Sequence, residues 1–131
     1  LKKNKEIKFI IKEFPILGEQ SLLAAKASVA IFLHQGNSIY EKFSTELFNN
    51  ENVLTVESIS KMLKTVGGNL DDLKRKMESK EVYEVLNTNF LLAKKLKING
   101  TPTFIIGTEI IRGYKDINIL QGIINREKQA F

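Results

Sequence analysis

The chain contains few residues that could do chemistry, and the missing types narrow the choice further. It has no cysteine and one histidine in 131 residues. A nucleophilic thiol, a disulfide framework, a thiolate metal site and a CxxC redox pair are therefore excluded within these residues. His34 has no second histidine or carboxylate at metal-ligand spacing. A lone imidazole needs partners to act as a ligand or base, so a surface or helix-terminus position is expected for it. Asp71, Asp72 and Glu78 could form an acid pair, but carboxylates near a helix start are explained by the helix dipole. No phosphate-binding glycine loop, nucleophile elbow or Ser-His-Asp set can be assembled. No catalytic residue, metal site or cofactor is expected among the residues present.

The most specific stretch is Asn99-Gly100-Thr101-Pro102-Thr103-Phe104-Ile105-Ile106-Gly107. Proline cannot donate to a sheet ladder, so Pro102 belongs at the first residue of a strand or on an edge. On residue type alone a trans bond is expected, because only about 5–6% of X–Pro bonds in folded proteins are cis.

The surrounding elements follow from periodicity. Ile7, Phe9 and Ile11 alternate with Lys8, Ile10 and Lys12 and end at Phe14-Pro15, which predicts an edge strand. From Ser21 to Leu33 apolar residues cover nearly the whole circumference of a helix, which predicts deep burial. Gln35-Gly36-Asn37 breaks it, and Ser38 with Glu41 has the form of a capping box for a second helix. That helix carries Ile39, Phe43 and Leu47 on one stripe, and Phe43, Phe48 and Phe90 are expected in the core. Thr55 is the expected cap of a third helix, which Gly67-Gly68 stops. Asn69 is the expected cap of a brief helix through Met77. Ser79 starts the longest one, which Asn99-Gly100 ends. Thr103 to Ile106 and Ile110 to Arg112 then read as a hairpin across Gly107-Thr108. Asp116 caps a last helix whose Ile117, Leu120 and Ile124 face inward.

Length and 43% hydrophobic content suit one domain over residues 1–131 with one core. The most apolar segment falls short of the roughly 20 residues that a membrane span needs. The net charge of +5 is mostly lysine interspersed with acids. This is the pattern of a solvated surface, and no nucleic-acid partner is expected.

The helix rich in alanine and lysine followed by Gly100-Thr101-Pro102-Thr103-Phe104-Ile105-Ile106-Gly107 resembles the cis-proline loop and third core strand of DsbA-like thiol–disulfide oxidoreductases of the thioredoxin superfamily. Glu13-Phe14-Pro15-Ile16-Leu17-Gly18, followed by Ser21-Leu22-Leu23-Ala24-Ala25, is similar to the end of their second core strand and the start of their helical insertion. Ile111-Arg112-Gly113 and the closing helix are similar to their last strands and C-terminal helix.

The resemblance implies an α/β, thioredoxin-like fold with a helical insertion over about residues 19–98 between the second and third core strands. It implies a cis bond at Pro102, with Thr101 offering its backbone to substrate. It also implies unfolded or cysteine-containing secreted polypeptides as partners, a membrane redox partner, and a periplasmic or otherwise extracytoplasmic location. The family's first strand and CxxC helix have no counterpart here, so they are expected upstream of Leu1. A redox-inactive peptide-binding module is the alternative. A sheet lacking that strand would need rearrangement or a strand from another copy, which makes self-association through the incomplete sheet an expectation.

Overall fold

The computed structural model describes residues 6–130. They contain six helices and one hairpin: α1 (Glu19–Gln35), α2 (Asn37–Asn49), α3 (Val56–Thr65), α4 (Leu73–Met77), α5 (Lys80–Lys95), β1 (Thr103–Ile106), β2 (Glu109–Arg112) and α6 (Ile117–Gln129). The residues fall into two compact units, divided within α5 between Phe90 and Leu91.

The first unit is helical. In α1, Ala25, Ala27, Ser28, Val29, Ala30 and Ile31 are all buried, so the middle of the helix is enclosed on every side, as its all-round apolar pattern predicts. Phe43 of α2, Ile59 and Leu63 of α3, and Leu73 and Met77 of α4 join the same cluster. The cap of α3 forms as expected. Thr55 Oγ1 accepts from the Ser58 amide at 3.0 Å, and Ser58 Oγ accepts from the Thr55 amide at 2.9 Å, which satisfies two donors that a helix start leaves open. At the other end Gly67 adopts φ 87°. Its amide and that of Gly68 reach back to Lys64 and Leu63, a glycine-terminated helix end.

Several expectations in this unit fail. Residues 7–14 form no strand, because a strand exists through its ladder and β1 and β2 pair only with each other. Ser38 lies inside α2, since Gly36 at φ 86° turns the chain two residues earlier. Asn69 does not cap α4. The boundary sits at Asp72, which adopts the left-handed conformation, a state that aspartate tolerates better than most residues. Phe48 is also misplaced by periodicity: it is 91% exposed and Phe90 is 37% exposed, whereas Phe43 is fully buried.

In the second unit β1 and β2 are antiparallel, with Thr103 opposite Arg112 and Phe104 opposite Ile111. Their connection is the two-residue turn Gly107-Thr108, with Gly107 at φ 60°, the glycine-first form that matches strand twist. Asp116 Oδ1 caps α6 by accepting from the Asn118 amide at 2.8 Å. Leu120 is buried, but Ile117 is 52% exposed, so the inward face of α6 begins a turn later than expected. The end of α5 also differs from expectation. It closes at Lys97, which takes φ 56° in place of a glycine, while the Ile98 amide bonds to Ala93 at 2.8 Å.

Candidate functional site

The loop between α5 and β1 carries Thr101 and Pro102, and both are exposed. The Thr101–Pro102 peptide bond is cis, where frequency alone favours trans. The Pro102 carbonyl accepts from the Gly113 amide at 2.9 Å, just past the end of β2. Proline has no N–H, so this carbonyl is the only group it can give to the hairpin, and the hairpin uses it. The Thr103 hydroxyl donates to the Gly100 carbonyl at 2.8 Å. On the helix side, Arg112 Nη1 donates to the Lys97 carbonyl at 2.9 Å. Neither the N–H nor the C=O of Thr101 has a partner among the described residues. An exposed backbone amide and carbonyl on a tied loop can pair with an incoming extended chain.

The hairpin beneath the loop is tied to α6 by polar groups. Glu127 of α6 is buried at 9% exposure, and its carboxylate accepts from the Thr108 amide and hydroxyl at 3.4 and 3.3 Å. A side chain at Gly107 would overlap that carboxylate, so the turn glycine is needed for space as well as for its φ. Arg126 pairs with Glu109 of β2. These ties were not legible in the sequence, because they depend on the register of the hairpin against α6.

In the helical unit, the Glu13-Phe14-Pro15 stretch is held although it forms no strand. Tyr40 donates its hydroxyl to Glu13 Oε1 at 2.6 Å, Asn89 Nδ2 donates to the Glu13 carbonyl at 2.9 Å, and Phe14 lies against Phe90 with ring centroids 5.4 Å apart. Burial pushes the Glu13 carboxyl above its ordinary value, and the Tyr40 hydrogen bond offsets part of that. Tyr40 is itself pushed upward, first by burial and then by its bond to Glu13. Burial makes both groups resist ionisation, and the shared bond adds to this at Tyr40 while opposing it at Glu13.

The other sequence candidates belong to the helical unit. His34 is exposed in the last turn of α1. Glu78 pairs with Lys26 at 2.9 Å, and Asp72 with Arg75 at 3.4 Å. Among the described residues no group of histidine, cysteine, aspartate and glutamate could hold a metal ion, and no helix is long and apolar enough to cross a membrane.

Comparison with known proteins places this arrangement in a family. The family model described as a DSBA-like thioredoxin domain matches residues 1–125. A solved thioredoxin-like oxidoreductase from Silicibacter pomeroyi superposes with a TM-score of 0.80 at 32% identity, covering 92% of this chain and 68% of that one. The thiol-disulfide exchange protein alpha-DsbA2 from Wolbachia pipientis gives 0.80 at 28% identity, with coverage of 89% and 63%. A periplasmic thioredoxin-like protein from Salmonella enterica serovar Typhimurium gives 0.77 at 26%, with coverage of 90% and 64%. The chain thus spans about two thirds of the length of these structures. No curated protein matches it by sequence. With a thioredoxin-like architecture of mostly helices and a small two-stranded sheet, and a matching model over nearly its whole length, the chain belongs to the DSBA-like thioredoxin domain family.

Proposed function

We propose that this chain is the substrate-binding body of a DsbA-type thiol–disulfide oxidoreductase that acts on unfolded or cysteine-containing secreted polypeptides in an extracytoplasmic compartment. The observation that carries the reading is the Thr101–Pro102 loop, exposed, tied at both flanks, and bearing an unpaired N–H and C=O on Thr101. An extended polypeptide laid along Thr101 would gain main-chain hydrogen bonds that do not depend on its sequence, which suits a protein serving many substrates. The redox step would use a CxxC pair upstream of Leu1. A thiolate at a helix N-terminus attacks a disulfide sulfur, a mixed disulfide forms, and the other sulfur leaves as a thiolate. A membrane redox partner that resets the CxxC pair belongs to the same reading.

A redox-inactive peptide-binding module is the second reading, and the absence of cysteine from the 131 residues favours it. The intact mass and N-terminal sequence of the native product decide between them. A product longer by a strand and a CxxC helix, whose disulfide form oxidises a reduced polypeptide or whose dithiol form reduces an oxidised one, supports the enzyme. A native product without that pair, still binding an alkylated polypeptide, supports the module.

A further inference from the structure

We propose that Arg112 is the residue that positions the substrate loop. The inference rests on the reading of Thr101 and Pro102 given above, and it names the side chain that sets their geometry. The loop's two ends are fixed by adjacent residues at the end of β2. Arg112 Nη1 holds the Lys97 carbonyl at 2.9 Å where α5 ends, and the Gly113 amide holds the Pro102 carbonyl at 2.9 Å where β1 begins. Between these ties lie Ile98, Asn99, Gly100 and Thr101, and the Thr103 hydroxyl at the start of β1 reaches back to bond the Gly100 carbonyl.

The helix-side tie bears the most weight because of what it grips. Lys97 is in the left-handed conformation at φ 56°, which a residue with a Cβ adopts less readily than the right-handed state. The carbonyl of such a residue leads the chain out of the helix in a direction that the helix itself does not impose. A charged guanidinium bonding that carbonyl makes a stronger bond than a neutral donor would. Arg112 can reach it because the register sets Arg112 opposite Thr103, the first residue of β1. The same β2 residue therefore stands across from the start of the strand and grips the end of the helix, which fixes the span that Thr101 must cross.

The experiment uses the full chain, with backbone amide exchange by NMR and titration with a reduced, alkylated polypeptide that is permanently unfolded and free of thiols. In Arg112→Ala the Ile98 and Gly113 amides exchange faster and affinity for the polypeptide falls by about fivefold, as the loss of one charge-assisted bond at an exposed site implies. The Ile59 amide of the helical unit is unaffected. Arg112→Lys, which keeps a cationic donor, recovers both exchange and affinity in part. Should Arg112→Ala fail to fold, Arg112→Met keeps the apolar stem, removes only the donors and takes the same two readings. Unchanged exchange and affinity in the donor-free variant overturn the proposal, as does an Arg112→Lys that restores exchange but not affinity. If the unmodified chain shows no shifts at Thr101 and Thr103 on titration, the substrate-loop reading itself falls and takes the proposal with it, an outcome distinct from a loop that binds without needing Arg112.

Discussion

Residues 6 to 90 gather twelve buried apolar side chains into one cluster, whereas beyond Phe90 the buried apolar side chains among the described residues are Ala93, Ile111 and Leu120. The hairpin unit makes up for its thin core with directed bonds: Glu127 to Thr108, Arg126 to Glu109, Arg112 to Lys97, and Gly113 to Pro102. Burial is strong but non-directional, and it holds helices together without fixing any one backbone group. Hydrogen bonds contribute little net stability each, yet they set positions to a fraction of an ångström. Under the proposed function, in which the loop offers the N–H and C=O of Thr101 to a polypeptide, it is the second kind of force that the loop needs. The helical unit supplies bulk, and the hairpin unit supplies aim.

The largest test of this contrast is Phe43→Ala. Phe43 is fully buried in the helical cluster, and truncating a buried phenylalanine costs about 3–5 kcal/mol. The urea midpoint should fall accordingly, and the Ile59 amide should exchange faster. A loss below about 1 kcal/mol would mean that this core is loosely packed and that the contrast is wrong. Next is Gly107→Ala. It forces a residue with a Cβ to φ 60° and drives that Cβ into the Glu127 carboxylate, at a cost of about 2–3 kcal/mol. The hairpin amides should lose protection well before Ile59 does. Equal acceleration in both units would show that they open together.

The parts of the chain legible in the sequence are those decided by local chemistry. Thr55, Gly67-Gly68, Ser79, Asp116 and the Gly107-Thr108 turn act through groups within a few residues of themselves, and each does what its type predicts. The failures come where a distant partner or a competing neighbour decides. Residues 7–14 alternate like a strand but have no ladder to join among the described residues. Ser38 has the capping signature, but Gly36 turns the chain before it can act. Phe48 has the helical spacing of a core residue but lies on the open side of α2. At the site, Pro102 was legible because a proline ahead of a β run is unusual. Arg112 and Glu127 were not, because nothing short of the hairpin register brings them to Lys97 and Thr108.

The Glu13 and Tyr40 pair is the exception that sharpens the contrast, since it is a directed bond inside the unit built on burial. Tyr40→Phe leaves the half-buried Glu13 carboxyl without its donor and should cost about 1–2 kcal/mol. The pair also carries a pH signature. The folded protein raises the Glu13 pKa, so it holds a proton that the unfolded chain releases. The stability this confers is full below pH about 4.5 and is lost as pH rises through the folded value. Measured against Glu13→Gln, which keeps an acceptor for Tyr40 but cannot ionise, the wild-type urea midpoint should be relatively highest in acid and decline toward neutrality. A difference that stays flat with pH would show that Glu13 is solvated after all.

The smallest test compares one device in both settings. Thr55 caps α3 through its hydroxyl, and Asp116 caps α6 through its carboxylate, each accepting a backbone amide at 3.0 and 2.8 Å. Removing a cap costs about 1 kcal/mol in either case. The consequence should depend on what lies beneath the helix. α3 is seated on Ile59 and Leu63, both in the apolar cluster, so the loss in Thr55→Ala should appear as a lowered global midpoint with the helix still formed. The first turn of α6 has Ile117 exposed and no buried apolar side chain before Leu120. Asp116→Ala should therefore show as fraying, with faster exchange at Leu120, whose amide bonds the Asp116 carbonyl at 3.1 Å, and little change in midpoint. If the two variants respond alike, core thickness does not govern how each unit absorbs the loss of a polar tie. The loop at Thr101 would then owe its geometry to the fold as a whole and not to the ties around it.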